Sequence, residues 1–406
     1  MDHILSKHKA NIWKFYLASI LGGFTYFYNG IETLYYRHFN LTFEQIGVLI
    51  SSMLIATLLL EIPSGAFADL YGRKKSLIIS AFAGVFALGF LTFGSTFIIF
   101  AAGFIFLGIS RAFSSGAGSA LLYDSLYSLK KADDFIKHKS RLSSSFIAID
   151  LISGSLGLLL FAIDVRIPYY ISFAAMLLVL IIQFSMFESF LPIKRTTSLI
   201  SHNLIQMKKG LVLTIKSFPI IWLTLFSFIF FVSCKFFSDV VSTPFFQETK
   251  QFSIYELSIL FLITNSIQTT FVFFSNYFEK KLGTLNSLIM TIVVIPVTYF
   301  AMIYSNSYII TGIIVGIYYA IISFSEIVSE SYINIQVESE NRATVLSVSS
   351  MVISTLGLFI IPILGTKTDT NGLTSGMYLT AVLTLLGGAA LLAIKFIIPT
   401  KPSKKE

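Results

Sequence analysis

Twelve nearly continuous apolar stretches, each close to the roughly 20 residues that span a bilayer core, dominate this chain. They run over 12–36, 45–66, 75–93, 97–122, 142–163, 168–187, 219–246, 254–278, 286–304, 308–329, 343–364 and 373–397, with short polar breaks between them. Runs of this kind read as membrane helices. The strands of a membrane barrel would alternate instead. Composition closes the other routes. Charged residues make up 12% of the 406, about half the roughly 25% of a soluble domain. A soluble enzyme, a nucleic-acid binder and a disordered chain are therefore excluded. The expected fold is an all-α membrane protein of twelve transmembrane helices.

An even number of crossings puts both ends on one side, and the basic residues say which. Arg37, Arg166, Lys250 and Lys367 fall on one set of connections, and Arg111 and Lys235 fall inside spans. The other 23 of the 29 Lys and Arg fall on the opposite set and on the tails. That bias places both termini in the cytoplasm. The basic start, MDHILSKHKANIWKF, reads as a retained cytoplasmic lead into the first span rather than a removed signal peptide. The longest connection, 188–218, is basic with apolar residues at mixed helical spacing. It is expected to lie on the membrane surface as a linker between a bundle at 1–187 and a bundle at 219–406.

The two halves are related. GAFADLYGRKKSL at 65–77 follows span 2, and NYFEKKLGTLNSL at 276–288 follows span 8. Gly72, Ser76 and Leu77 align with Gly283, Ser287 and Leu288, and Arg141 opens span 5 as Arg342 opens span 11. Two similar sets of six spans predict pseudo-symmetric bundles. That is a transporter layout, with a substrate site between the halves near the midplane.

The run from Gly65 through Asp69, Gly72 and Arg73 to Lys75 resembles the signature loop of the major facilitator superfamily, G-x-x-x-D-x-x-G-R-K/R-K/R, in the same place after span 2. Small Gly65 suits close approach of helices. Gly72 permits a tight turn. Asp69 can sit at the start of the following helix and pair with a basic residue. The resemblance implies a cytoplasmic gate in which Arg73 pairs with Asp124, at the end of span 4, alongside Asp69. The alternative is a cluster that only holds the loop inside.

Span 4, from Leu107 through Arg111 to Gly116 and Gly118, is similar to a second pattern of proton-coupled members, L-x-x-x-R-x-x-x-G-x-G. An embedded arginine usually has a partner, and Asp150 in span 5 is the candidate. The pair reads equally as a proton site or as a fixed ion pair. The third pattern, G-x-x-x-G-P-x-x-G-G of the antiporter branch, meets only Ser153-Gly154-Ser155-Leu156-Gly157. That departure weakens the antiporter assignment.

Other embedded polar groups are candidates of the same kind. Glu32 in span 1 and Glu326 in span 10 could carry protons or a cationic substrate. Lys235 and Asp239, spaced i,i+4, read as a structural pair near the outer mouth. Tyr26, Asn29, Asn265, Gln268 and Tyr319 are candidates for the wall of a cavity. No nucleotide-binding loop, zinc set or serine elbow is present in the sequence. The single cysteine, Cys234, excludes an internal disulfide.

Taken together, these features and the resemblance imply a secondary transporter of the bacterial cytoplasmic membrane, working by alternating access, with a monomer favoured and a dimer left open. It would not be an enzyme and would use no cofactor or metal. Its partners would be a small molecule, protons and lipid, with no nucleic acid. The favoured reading is proton-coupled efflux of amphipathic or hydrophobic molecules, as in the multidrug branch. One alternative is uptake of a polar metabolite by proton symport, and another is a sensor or scaffold that moves nothing.

Overall fold

A computed structural model describes residues 2–188, 212, 218–336 and 342–397. The chain divides into two compact units, Met1–Ile205 and Gln206–Glu406. Almost all of the expected amphipathic connection over 188–218 lies outside the described residues.

In the first unit the helices are α1 (Asp2–Phe24), α2 (Glu32–His38), α3 (Phe43–Tyr71), α4 (Arg73–Phe93), α5 (Phe97–Ser114), α6 (Ala117–Ser128), α7 (Phe135–Phe161) and α8 (Ile167–Ser185). In the second they are α9 (Phe218–Phe236), α10 (Ile254–Phe273), α11 (Ser275–Leu282), α12 (Thr284–Tyr304), α13 (Tyr308–Gln336), α14 (Arg342–Asn371) and α15 (Leu373–Ile397). Two π-helical turns, Phe237–Val241 and Phe245–Thr249, carry the α9 passage on to its end. α1 with α2, and α5 with α6, each make one passage, so the described residues contain the twelve expected crossings. Ten helical stretches are individually long and apolar enough to cross a membrane. α1 is not among them, because it stops at Phe24 and its last 18 residues still hold Lys7, Lys9 and Lys14.

Local chemistry sets the boundaries. Thr42 and Ser253 open α3 and α10 through reciprocal capping boxes with Gln45 and Glu256. Gly72, at φ 107°, separates α3 from α4, and Gly283, at φ 77°, separates α11 from α12. A side chain rarely adopts that backbone conformation. Beyond each glycine the matching serines and leucines are buried alike: Ser76 and Ser287, Leu77 and Leu288. The sequence repeat is thus repeated as structure in each unit. Outward, large apolar side chains such as Phe273 (82% exposed) and Ile98 (78%) face away from protein, which only a lipid surround makes tolerable.

Two expected spans are interrupted. The first breaks over Thr25–Ile31, where Gly30 takes φ 80°. The fourth breaks at Ser115–Gly116, where Gly116 takes φ 74°. Glycine supplies the left-handed conformation at both. Counted from Arg111, the glycines of span 4 stand one residue beyond the pattern they resemble.

Candidate functional site

The break in the first passage carries polar groups into the membrane. Irregular backbone at that depth is tolerated only where protein or water satisfies it. α2, seven residues long, places the break roughly 10 Å before the end of the passage. α7 provides the support. Phe146, Ile149, Asp150 and Gly157 follow helical spacing, and each meets the first passage. Phe146 packs edge-on against Tyr26 with ring centroids 5.5 Å apart. A Cβ built at Gly23 would stand 2.7 Å from Ile149. A Cβ at Gly157 would run into the carbonyl of Phe27, so only glycine lets α7 close onto the broken segment. Asp150 reaches into it: Asn29 Nδ2 donates to Asp150 Oδ1 at 2.8 Å. Thr25 turns its hydroxyl back onto the Gly22 carbonyl at 2.7 Å, which closes the last turn of α1.

An aromatic wall stands behind the break. Tyr28 stacks on Tyr169 at 5.2 Å, and Tyr169 stacks on Tyr35 at 3.9 Å. Tyr35 donates to the Leu91 carbonyl at 2.7 Å. Glu32 lies in the first turn of α2, where the helix dipole favours a negative charge. Glu32 and Arg111 both lie within electrostatic range of the Tyr28 hydroxyl.

The expected contact between Arg111 and Asp150 is not formed. The Asp150 carboxylate is taken by the Asn29 amide instead. Arg111 Nη1 points to the Met53 sulfur at 3.9 Å. The broken first passage brings Asn29 to the carboxylate that the sequence would have paired with Arg111. Asn29 was legible only as a polar residue in an apolar run; its partner was not.

Where α3 gives way to α4, Arg73 forms an ion pair with Asp124 and donates to the Ala120 carbonyl at 3.3 Å. Asp69 is exposed and outside this network. The place expected for it, at the start of α4, is occupied by Glu188. Glu188 Oε1 accepts the Arg73 backbone N–H at 2.8 Å, and Oε2 accepts that of Lys74 at 2.9 Å. One residue earlier, Phe187 exchanges two hydrogen bonds with Asn11. Asn11 Nδ2 donates to its carbonyl at 2.6 Å, and Asn11 Oδ1 accepts its N–H at 2.9 Å. Sequence reading missed both Glu188 and Asn11. One signal pointed that way: Gly72 offers α4 no capping side chain, so a carboxylate from elsewhere had to do it. Gly65 does not mediate a close approach within its unit, since a Cβ there would meet nothing within 4 Å. Gly108 does, with a built Cβ 2.6 Å from the Ala56 side chain.

In the second unit Lys235 Nζ donates to Asp239 Oδ2 at 2.9 Å. The pair stands in the middle third of the passage Ile220–Thr249. The passage continues through the π turns, three residues beyond the end drawn from hydropathy. Glu326 on α13 lies within electrostatic range of Lys235. Gln268 ties α10 to α13 by donating to Ser323 Oγ at 2.9 Å, while Asn265 bonds only to its own helix, at the Phe261 carbonyl. Tyr319 is half-buried beside Tyr318, and Tyr318 shares a hydrogen bond of 2.9 Å with Tyr299. Among the described residues no group of three or more His, Cys, Asp or Glu could hold a metal ion.

A helical chain with two compact units, membrane-length apolar passages and polar groups gathered at a broken helix has the form of a multi-pass membrane transporter. The family model of the Major Facilitator Superfamily matches residues 15–362, and the chain belongs to that family. A curated relative, the "Uncharacterized MFS-type transporter YxaM" of Bacillus subtilis (strain 168), is 27% identical over 169 residues, a stretch covering 41% of each protein. Among solved structures, the nucleoside transporter NupG superposes with TM-score 0.72 and 15% identity, covering 96% of this chain and 99% of that one. The D-xylose-proton symporter gives TM-score 0.71 and 16% identity, covering 97% and 99%. These likenesses are in fold.

Proposed function

We propose that this protein is a proton-coupled secondary transporter of the bacterial cytoplasmic membrane, with both termini inside, which exports amphipathic or hydrophobic small molecules by alternating access. One observation carries the proton assignment: Asp150 is held at 2.8 Å by a neutral amide, Asn29, and by no cation among the described residues. A carboxyl group in that setting can gain and lose a proton without breaking an ion pair. Arg111 and Glu32, near the same break, adjust the field around it. Tyr26, exposed beside the break, offers a surface for an amphipathic substrate. Arg73 with Asp124 acts as the cytoplasmic gate, and Glu188 holds the gate's backbone. An ion pair that forms and breaks at a moving interface biases a two-state equilibrium.

The reverse direction, symport of a polar metabolite, is the second reading. It is favoured by the absence of the antiporter proline at Ser153–Gly157 and by the polar set around the broken helix. Proteoliposomes with an imposed pH gradient separate the two, using a panel of lipophilic cations, neutral drugs, nucleosides and sugars. Efflux predicts uphill movement of an amphipathic compound against the proton flux. Symport predicts a polar compound moving with it. In either case Asp150→Asn is expected to abolish uphill movement while leaving downhill exchange. Uphill transport at the wild-type rate in Asp150→Asn would remove Asp150 from the mechanism.

A further inference from the structure

One face of the second unit runs exposed along the whole of α10 and on into α11. Tyr255, Ile259, Leu262, Ser266, Thr270 and Phe273 recur at intervals of three or four residues, and each of them is exposed. That spacing makes one stripe on a helix. Its two small hydroxyls are returned to the helix itself: Ser266 donates to the Leu262 carbonyl and Thr270 to the Ser266 carbonyl, both at 2.7 Å. The stripe therefore suits contact with hydrocarbon. Roughly 33 Å of helix separates Tyr255 from Tyr277, close to the roughly 30 Å of a bilayer core. Tyrosines at both ends of such a stripe match the aromatic belts of a membrane.

α11 continues the stripe and changes its chemistry. α10 stops at Phe274, and Phe278 of α11 stacks back on Phe271 with ring centroids 4.7 Å apart. Phe271 also packs edge-on against Phe324 of α13 at 5.8 Å. These rings hold α11 with Tyr277 turned outward, 61% exposed, and with Lys280 and Lys281 exposed beyond it. Glu279, the one acid on α11, is half-buried. The first unit does not repeat this face. In the register set by Gly72 and Gly283, Tyr277 stands where Ala66 is 3% exposed, and Lys280 stands where the signature loop has Asp69. α3 runs unbroken to Tyr71 through that register, whereas the second unit breaks at Phe274. The dipole of α11 favours lysines at its end, but it accounts for neither the outward tyrosine nor the exposed Phe273 before it.

We propose that the face from Phe273 to Lys281 is a binding site for one anionic phospholipid. Its side chains follow the order of a lipid molecule. Phe273 meets the acyl chain, Tyr277 stands at the glycerol level with its ring in the apolar layer and its hydroxyl in the polar one, and Lys280 and Lys281 meet the phosphate. An ammonium pairs with phosphate as a point charge and needs no fixed fork geometry, so two flexible lysines suffice. A zwitterionic headgroup brings its own cation and gains less from them. The bound lipid would bridge the break at Phe274, in contact with both α10 and α11.

A fluorescent reporter in the full chain tests this without a transported substrate. Trp13→Phe and Trp222→Phe remove both native tryptophans, and Phe273→Trp places one on the face while leaving Tyr277 and both lysines intact. The protein is reconstituted in phosphatidylcholine with phosphatidylglycerol, one or the other brominated on its acyl chains to quench the indole. The Phe273→Trp reporter should show about a five-fold preference for phosphatidylglycerol. Val293→Trp, on the exposed side of the uncharged α12, should show none. Lys280→Gln with Lys281→Gln should bring the preference at Phe273→Trp down to that of Val293→Trp. Lys280→Arg with Lys281→Arg should retain it, which shows that the face survives substitution. The proposal is overturned by equal preference at the two reporters, or by a preference that the glutamine pair leaves unchanged. It is overturned as well if neither lipid quenches Phe273→Trp while both quench Val293→Trp, since protein, such as a second copy of the chain, then covers the face.

Discussion

The carboxylate of Glu188 and the backbone N–H of Arg73 meet at 2.8 Å, although 115 residues separate them. The contact ties the end of the sixth passage to the loop after the second. The arginine paired with Asp124 is thereby held from its backbone as well as from its side chain. Glu188→Ala removes both accepted bonds at the start of α4 and should lower stability by about 1–2 kcal/mol. Glu188→Gln keeps one acceptor oxygen and should lose less. Thermal unfolding of the purified protein in detergent measures both.

The Arg73–Asp124 pair is partly open to solvent, with side-chain exposures of 31% and 45%. Such a pair contributes only about 0.2–1 kcal/mol to stability. Arg73→Asp should therefore leave unfolding nearly unchanged while transport falls steeply. The swapped double variant, Arg73→Asp with Asp124→Arg, should regain part of the transport. If unfolding and transport fall together, the pair is structural and not a gate.

Two glycines separate close packing from backbone conformation. Gly157→Ala pushes a methyl group into the Phe27 carbonyl and should destabilise by about 1–3 kcal/mol through overpacking. Gly116→Ala finds open space but must hold φ 74°, so its effect should stay near about 1 kcal/mol. The Gly157 variant should also disturb the Asn29–Asp150 contact and reduce transport, whereas the Gly116 variant should act mainly on the passage formed by α5 and α6. Unfolding midpoints together with transport rates distinguish the two effects.

His8 lies near the start of α1, only 2% exposed, with its ring edge-on to Phe187 at 5.2 Å. Burial holds its pKa below the ordinary 6.5. The unfolded chain therefore binds a proton more readily than the folded one. His8 is neutral and compatible with burial above pH 6.5, and the associated stability is lost as pH falls from 6.5 toward the lowered value. Thermal midpoints should decline across that window in the wild type. His8→Phe retains the ring and should flatten that part of the decline.

Much of this architecture was readable from the chain. Hydropathy located the crossings, and Gly72 and Gly283 marked equivalent turns because a positive φ selects glycine over other residues. Arg73 and Asp124 do pair as the resemblance implied; Asp124 lies outside the loop, on α6, so the family pattern and not local geometry made that partner legible. The breaks at Thr25–Ile31 and Ser115–Gly116 were missed. Hydropathy averages over a window and does not register a few residues that leave the helix while remaining apolar. The partners of Asp150 and of the α4 start were missed for a different reason: each comes from a helix distant in the chain.

Residue order alone therefore established a membrane-spanning helical chain, its internal repeat and the family to which it belongs. The first two follow from local quantities, apolar run length and glycine at tight turns; the family follows from the signature loop that residues 65–75 resemble. Packing settled which polar groups meet. Asp150 takes Asn29 rather than Arg111 because α7 closes on an unwound segment at Gly157. Glu188 rather than Asp69 serves the start of α4 because α8 ends beside it. A buried polar group bonds to whatever donor the neighbouring helix presents, and that choice depends on helix rotation and depth, which no linear pattern encodes.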